Sequence, residues 1–185
     1  MKINEAGLSL IKSFEGCRLE AYKCPAGVWT IAYGHTAGVK QGMKITLEEA
    51  DKLLRQDVEK FEKKVEKYNS KYNFNENQFS ALVSFAFNVG NIDKLTANGT
   101  RSLSVVHEKM LLYNKANGKT LSGLVRRRQA EYKLFGEAEN ISIETSEGIE
   151  LIAKEVLAGK WGNGEERYKR IRTAIQNRVN ELCRG

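Results

Sequence analysis

The apolar positions change period several times along the chain, and each change predicts an element. Ile3, Leu8, Ile11 and Phe14 share one helical face. Asn4 is placed to cap that helix and Gly16 to end it. Leu19, Ala21 and Tyr22 then lead into Pro25, Ala26 and Gly27, followed by a β-branched and aromatic run over 28–33, which predicts a β-hairpin. Thr46 and Glu49 form a capping box. Ala50, Leu53, Leu54, Asp57, Val58, Phe61, Val65 and Tyr68 keep helical spacing after it. Asn75 caps another helix, with Phe79, Leu82, Val83 and Ala86 inward and residues 88–90 ending it. Residues 91–102 contain Asn98 and Gly99 and read as loop. A helix is expected through Val106, Met110 and Tyr113 to a stop near Gly118, and another from Ser122 to Gly136. The fold class expected is α+β, mainly α, with a small hairpin lobe joined by the long helix to a helical lobe.

Residues 137–147 break the pattern. They carry four glutamates, no Lys or Arg and few apolar side chains, so they read as a linker. A helical pattern resumes at 149–157. The expected division is therefore 1–136 as the main domain, 137–147 as an acidic linker and 148–185 as a small module. The 185 residues suffice for one core plus that module.

Composition narrows the class. Hydrophobic residues make up 41% and charged residues 29% of the chain, as in a soluble globular protein, and no apolar run is long enough to span a bilayer. Asn4, Glu5, Lys12 and Glu15 interrupt the N-terminal apolar residues, which argues against a secretory signal and for cytoplasmic residence until release. Cys17, Cys24 and Cys183 are too few and odd in number for a disulfide framework, so thiols are expected. A Cys17–Cys24 bridge is the alternative, and it would compete with any role for Cys24. The cysteines show no metal-site spacing with His35 and His107. The net charge of +7 is uneven: 1–136 carries +8, 137–147 carries −4 and 148–185 carries +3. A basic surface suits polyanions such as nucleic acid or anionic wall polymers. No nucleic-acid-binding motif accompanies the charge.

The candidate chemistry lies in residues 14–36. Glu15 falls where the first helix stops, facing the expected hairpin. A carboxyl shielded there from water would be pushed up in pKa and could act as a general acid. A solvated helix-end glutamate is the plainer reading of position alone. Spacing changes the balance: eight residues separate Glu15 from Cys24, and five separate Cys24 from Thr30. This resembles the Glu–x8–Asp/Cys–x5–Thr signature of phage-type lysozymes, family 24 of the glycoside hydrolases. TIAYGHT at 30–36 resembles that family's TIGYGHT strand, with Ala32 in place of the usual glycine. NQFSALVSFAFNVG at 77–90 and GLVRRRQAE at 123–131 resemble further family blocks in the same order. The resemblance covers about residues 1–136.

It implies a two-lobed lysozyme-like domain acting on the β-1,4 bond between N-acetylmuramic acid and N-acetylglucosamine in peptidoglycan, with no metal or cofactor. Glu15 would be the acid, Thr30 would orient a water, and Cys24, standing where an aspartate is common, would position that water or act as base or nucleophile. His35 is implied to pair with Asp57 in a structural role. Asn88 is implied to lie on the cleft wall, either touching sugar or capping its helix end. Arg126, Arg127 and Arg128 could meet a polyanionic wall or could be a solvated face with one buried pair, and the second is the favoured reading for at least two of them.

Residues 152–182 resemble the CW-seven cell-wall-binding repeat, a three-helix module with a distinctive Trp-Gly-Asn-Gly core beginning at Trp161. This copy lacks the usual short Gly-Tyr-Asp-Tyr insertion between Ala174 and Ile175. Trp161 either stacks on a muropeptide or, as favoured, forms the centre of a small bundle, and Arg167 is expected to pair with a carboxylate. A single copy below about 40 residues is marginal alone, so docking or homodimerisation would help it. The expectation is an endolysin causing host-cell lysis, requiring a membrane-permeabilising partner. The alternatives are a lytic transglycosylase giving anhydro-muropeptides and a non-catalytic wall-binding protein.

Overall fold

The computed structural model describes residues 1–137, 154–156, 158–162, 166, 167 and 169–174. The first helix, α1 (Glu5–Glu15), starts at Asn4, whose side chain accepts from the Gly7 N–H at 2.9 Å. Its opposite end stops at Gly16, which has φ 69°. The hairpin follows as β1 (Arg18–Lys23) and β2 (Trp29–Ala32), antiparallel, with Tyr22 opposite Thr30. Residues 43–45 extend its far edge: the Ala21 N–H donates to the Met43 carbonyl, and the Ile45 N–H to that of Leu19, each at 2.9 Å.

The expected capping box opens α2 (Leu47–Glu66), with Thr46 and Glu49 bonded reciprocally. A short turn of helix, α3 (Asn69–Tyr72), leads to α4 (Glu76–Val89), which has its own capping box of Asn75 and Gln78. Every residue from Gln78 to Ala86 is buried. Apolar and small residues surround this helix on all sides, the pattern of a helix enclosed by others. It packs against α1, α2 and the last large helix, α7 (Ser122–Gly136). At Gly7 the approach of α1 to α4 leaves no room for a side chain: a Cβ would lie 2.7 Å from Ile3 Cγ1 and 2.8 Å from Ser80 Cβ.

Two stretches differ from expectation. Residues 91–102 contain a helical turn, α5 (Asp93–Thr96), before a left-handed run through Ala97, Asn98 and Gly99. The next helix, α6 (Leu103–Met110), ends well before Gly118. Asn117 (φ 49°) and Gly118 (φ 75°) instead form the tip of a second hairpin, β3 (Lys115–Ala116) and β4 (Lys119–Thr120). Asn-Gly is the strongest short hairpin signal, because both positions tolerate positive φ. The described part is thus mainly helical with two small hairpins. No helix in it is long and apolar enough to cross a membrane. The expected linker, and most of the expected three-helix module including Cys183, lie outside the described residues.

Candidate active site

Glu15 is the last residue of α1, with about a quarter of its side chain exposed. From α7, Arg127 reaches it, donating from Nη1 to Glu15 Oε1 at 2.5 Å. The rest of that guanidinium is buried and fully engaged. Nε donates to Glu131 Oε1 at 3.1 Å and Nη2 to the Ser84 carbonyl at 3.3 Å. It also lies 5.7 Å from the centre of the Phe14 ring.

Arg128 is buried beside it. Its Nη2 donates to Asn88 Oδ1 at 2.9 Å and more weakly to Glu131 Oε1 at 3.4 Å. Its Nε lies 3.0 Å from Glu131 Oε2, close enough for an ion pair but not aligned as a hydrogen bond. The Ser84 hydroxyl completes the cluster, donating to Glu131 Oε1 at 2.8 Å. Burial pushes the Glu131 carboxyl up and the Arg128 guanidinium down, and each opposes the shift in the other. Of the three consecutive arginines only Arg126 is exposed, so the expected solvated face with one buried pair is corrected to one exposed arginine and two buried, paired ones. The missed signal was Glu131 itself, placed i+4 from Arg127 and i+3 from Arg128 so that all three charges share one helical face.

The hairpin contributes Cys24 and Thr30. Cys24 opens a tight turn: its N–H donates to the Val28 carbonyl at 3.0 Å and its carbonyl accepts from Gly27 at 2.8 Å. Thr30 is buried and donates its hydroxyl to the Val28 carbonyl at 3.0 Å. Backbone groups of Val28 and then Ala26 point at the Cys24 sulfur, and the Thr30 hydroxyl lies beside it. Together they lower the thiol below its ordinary pKa. Cys17 and Cys24 are both free thiols.

His35 and Asp57 meet as expected, with His35 Nδ1 2.9 Å from Asp57 Oδ2. The other ring nitrogen, Nε2, lies 2.9 Å from the Ala37 carbonyl oxygen. Both partners are acceptors, and a ring N–H donates to the oxygen it faces. This pins the turn after β2, where the Ile31 and His35 backbones exchange two hydrogen bonds and Ala32 takes φ 56°, a conformation suited to glycine.

The structure therefore joins Cys24 to Thr30, His35 to Asp57, and Glu15 through the arginine cluster to Asn88. Asn88 does not cap its helix; the cap is Gly90. Trp161 and Arg167 belong to the C-terminal segment. Trp161 is buried and donates from Nε1 to Glu155 Oε2 at 3.1 Å, and it is Arg170, not Arg167, that pairs with Glu166 at 2.8 Å. That segment meets the main domain where Asn73 Nδ2 donates to the Ala158 carbonyl at 3.2 Å. Beside this contact lies a cavity of about 490 Å³ bordered by His107, Phe135, Trp161 and Arg170, and neither Glu15, Cys24 nor Thr30 lines it.

Comparison with known proteins places the chain in a family. Residues 12–131 match the Phage lysozyme family and residues 150–183 match the CW_7 repeat. An endolysin of Bacillus phage B103 is 39% identical over 186 residues, covering 95% of this chain and 70% of that protein. The active form of the P1 phage endolysin Lyz superposes with a TM-score of 0.64 at 30% identity, over 73% of this chain and 85% of that one. The muramidase domain of SpmX from Asticaccaulis excentricus gives 0.63 at 38% identity, over 74% of this chain and 99% of that one. The chain belongs to the phage lysozyme family.

Proposed function

We propose that this protein is an endolysin that hydrolyses the β-1,4 bond between N-acetylmuramic acid and N-acetylglucosamine in peptidoglycan, with Glu15, Cys24 and Thr30 as its catalytic residues. The observation that carries the reading is a helix-end glutamate held by a buried arginine, followed directly in the chain by a hairpin that carries a thiol–threonine pair. Glu15 gives its proton to the glycosidic oxygen as that bond breaks, and the sugar left behind develops oxocarbenium character. Water then attacks the anomeric carbon. The Thr30 hydroxyl, beside both the Val28 carbonyl and the Cys24 sulfur, orients the water. Cys24 takes the water's other proton as the new bond forms. A lowered thiol pKa supports this, because a thiolate can act as base where a thiol cannot. Water attacking the face opposite the leaving group inverts the configuration.

His35 and Asp57 hold the turn that follows β2 and take no proton in the reaction. The residues matching the CW_7 repeat would tether the enzyme to the wall, with Trp161 as a packing residue and Arg167 directed to a wall carboxylate. Association of two copies through that repeat would strengthen the tether. Before lysis the protein would reside in the host cytoplasm and reach the wall only after a membrane-permeabilising partner opens the way.

Mass spectrometry of muropeptides released from purified wall tests the reaction, with Glu15→Gln as the blank. Products with reducing ends are expected. Products one water lighter would mean attack by the sugar's own hydroxyl and would replace hydrolysis with transglycosylation. Release of nothing by the wild type would leave a wall-binding protein.

A further inference from the structure

We infer that Glu131 is a positioning residue for two parts of the glycan site at once, setting the Glu15 carboxyl through Arg127 and the Asn88 amide through Arg128. The inference rests on the reading of Glu15 as the acid that cleaves glycan.

The cluster is not accounted for by stability. Burying a carboxylate with two guanidiniums is costly, and well-packed apolar residues in such places are often as stable or more so. What the arrangement supplies is geometry. Glu131 is fully buried and receives Ser84, Arg127 and Arg128 on one oxygen, with Arg128 Nε against the other. Both guanidiniums are therefore fixed at their inner ends. Each sends one nitrogen outward, Arg127 Nη1 to Glu15 and Arg128 Nη2 to Asn88. The two outer residues are the only members of the cluster with substantial exposure.

The Asn88 contact also fixes which way that amide points. A guanidinium only donates, so the atom it holds is the Asn88 oxygen. The Nδ2 group is then the end presented to solvent from the last turn of α4, as a two-proton donor. A donor of that kind fits the hydroxyl and N-acetyl carbonyl oxygens of an amino sugar. The two branches thus divide the work: the Arg127 branch orients the proton donor, and the Arg128 branch orients a binding group.

Kinetics on solubilised wall glycan separate the branches. Asn88→Ala and Arg128→Lys should each raise KM about tenfold, the worth of one hydrogen bond, with kcat retained. Glu131→Gln should raise KM and also lower kcat. If Arg128 acts through Asn88, the double variant Asn88→Ala/Arg128→Lys has the KM of Asn88→Ala alone. Multiplying effects would overturn the inference. Asn88 is exposed, so Asn88→Asp gives a second route should Arg128→Lys or Glu131→Gln fail to fold. The carboxylate still accepts from Arg128 and keeps the melting temperature at or above wild type, but it has lost the outward donor, so KM should match that of Asn88→Ala. Wild-type KM in Asn88→Asp would also overturn the inference. Absence of any cleavage by the wild type would refute the site's reading and this inference together, an outcome distinct from either kinetic failure.

Discussion

Arg127 Nη1 lies 2.5 Å from Glu15 Oε1, joining residues 112 positions apart. That bond links the end of α1 to the middle of α7 and aims the carboxyl while leaving part of it exposed. A lysine at 127 would keep the charge but lose the fork that lets one side chain hold Glu15, Glu131 and the Ser84 carbonyl together. Arg127→Lys should therefore lower kcat by about 10²-fold, the scale expected when a proton donor is poorly placed. Arg127→Met should lower it further and reduce stability by about 3 kcal/mol, because Glu131 keeps only one cationic partner. Turnover and urea unfolding measured together check this. Arg127→Lys with wild-type kcat would remove Arg127 from the site.

Cys24 is predicted to be reactive as well as catalytic. Its thiol pKa is lowered by the backbone of Val28, then of Ala26, with the Thr30 hydroxyl assisting. Alkylation by iodoacetamide, followed peptide by peptide, should show Cys24 reaching half-maximal rate at a pH below that of an ordinary thiol. Thr30→Val should move that midpoint upward. Cys24→Ala should lower turnover by about 10²-fold or more, as loss of a base does, and Cys24→Asp should retain activity because a carboxylate can serve as the base. An unchanged rate in Cys24→Ala would leave the water without a base and would favour attack by the sugar's own hydroxyl.

The local parts of this site were legible in the sequence, and the long-range parts were not. The Asn4 cap, the Thr46–Glu49 box and the Gly16 stop are decided by residues within one turn of each other, so the pattern placed α1 and α2. The grouping of Cys24 with Thr30 and the His35–Asp57 pairing followed from the family resemblance. The arginine cluster did not. Three consecutive arginines look solvated because an isolated charge is costly to bury, and the cost is offset by Glu131 together with Ser84 and Asn88 from α4 and Glu15 from α1. Nothing within α7 except Glu131 reports that its charged face turns inward. The second hairpin is hidden for another reason: Gly118, following an apolar helical run, suggests a helix stop, although the preceding Asn117 marks a hairpin tip.

Gly7 gives a prediction opposite in sign to the usual rule. Glycine to alanine inside a helix normally adds about 1 kcal/mol of stability. Here the new Cβ would meet Ile3 Cγ1 at 2.7 Å and Ser80 Cβ at 2.8 Å, where α1 and α4 are held together by the Asn4 N–H on Ser80 Oγ at 2.9 Å. Overpacking of this kind costs about 1–3 kcal/mol. Gly7→Ala should therefore destabilise the protein. Ile3→Ala, harmful alone, should cost less when combined with Gly7→Ala, because it removes the nearer clash. Chemical unfolding of the four proteins in that cycle measures the coupling, and simple additivity would contradict it.

His107 makes stability depend on pH in a definite direction. On α6 it stacks against Tyr132 and Phe135 of α7, with ring centres 3.7 Å and 4.6 Å away, and its Nε2 donates to the Tyr132 carbonyl at 2.7 Å. Burial lowers its pKa below the ordinary 6.5, outweighing the Tyr132 carbonyl and Glu108, while Arg170 lowers it further. Well above pH 6.5 the ring is neutral in both folded and unfolded chains and adds no pH dependence. As pH falls through about 6.5, the unfolded chain takes up a proton that the folded protein resists. The unfolded state then binds more protons, so stability falls with falling pH by at most about 1.4 kcal/mol per unit, until the folded ring titrates too. His107→Gln keeps an amide donor for the Tyr132 carbonyl and removes the titration. Urea unfolding at pH 7.5 and 5.5 should show a smaller loss for this variant than for the wild type. Equal losses in the two proteins would mean that other groups carry the acid sensitivity.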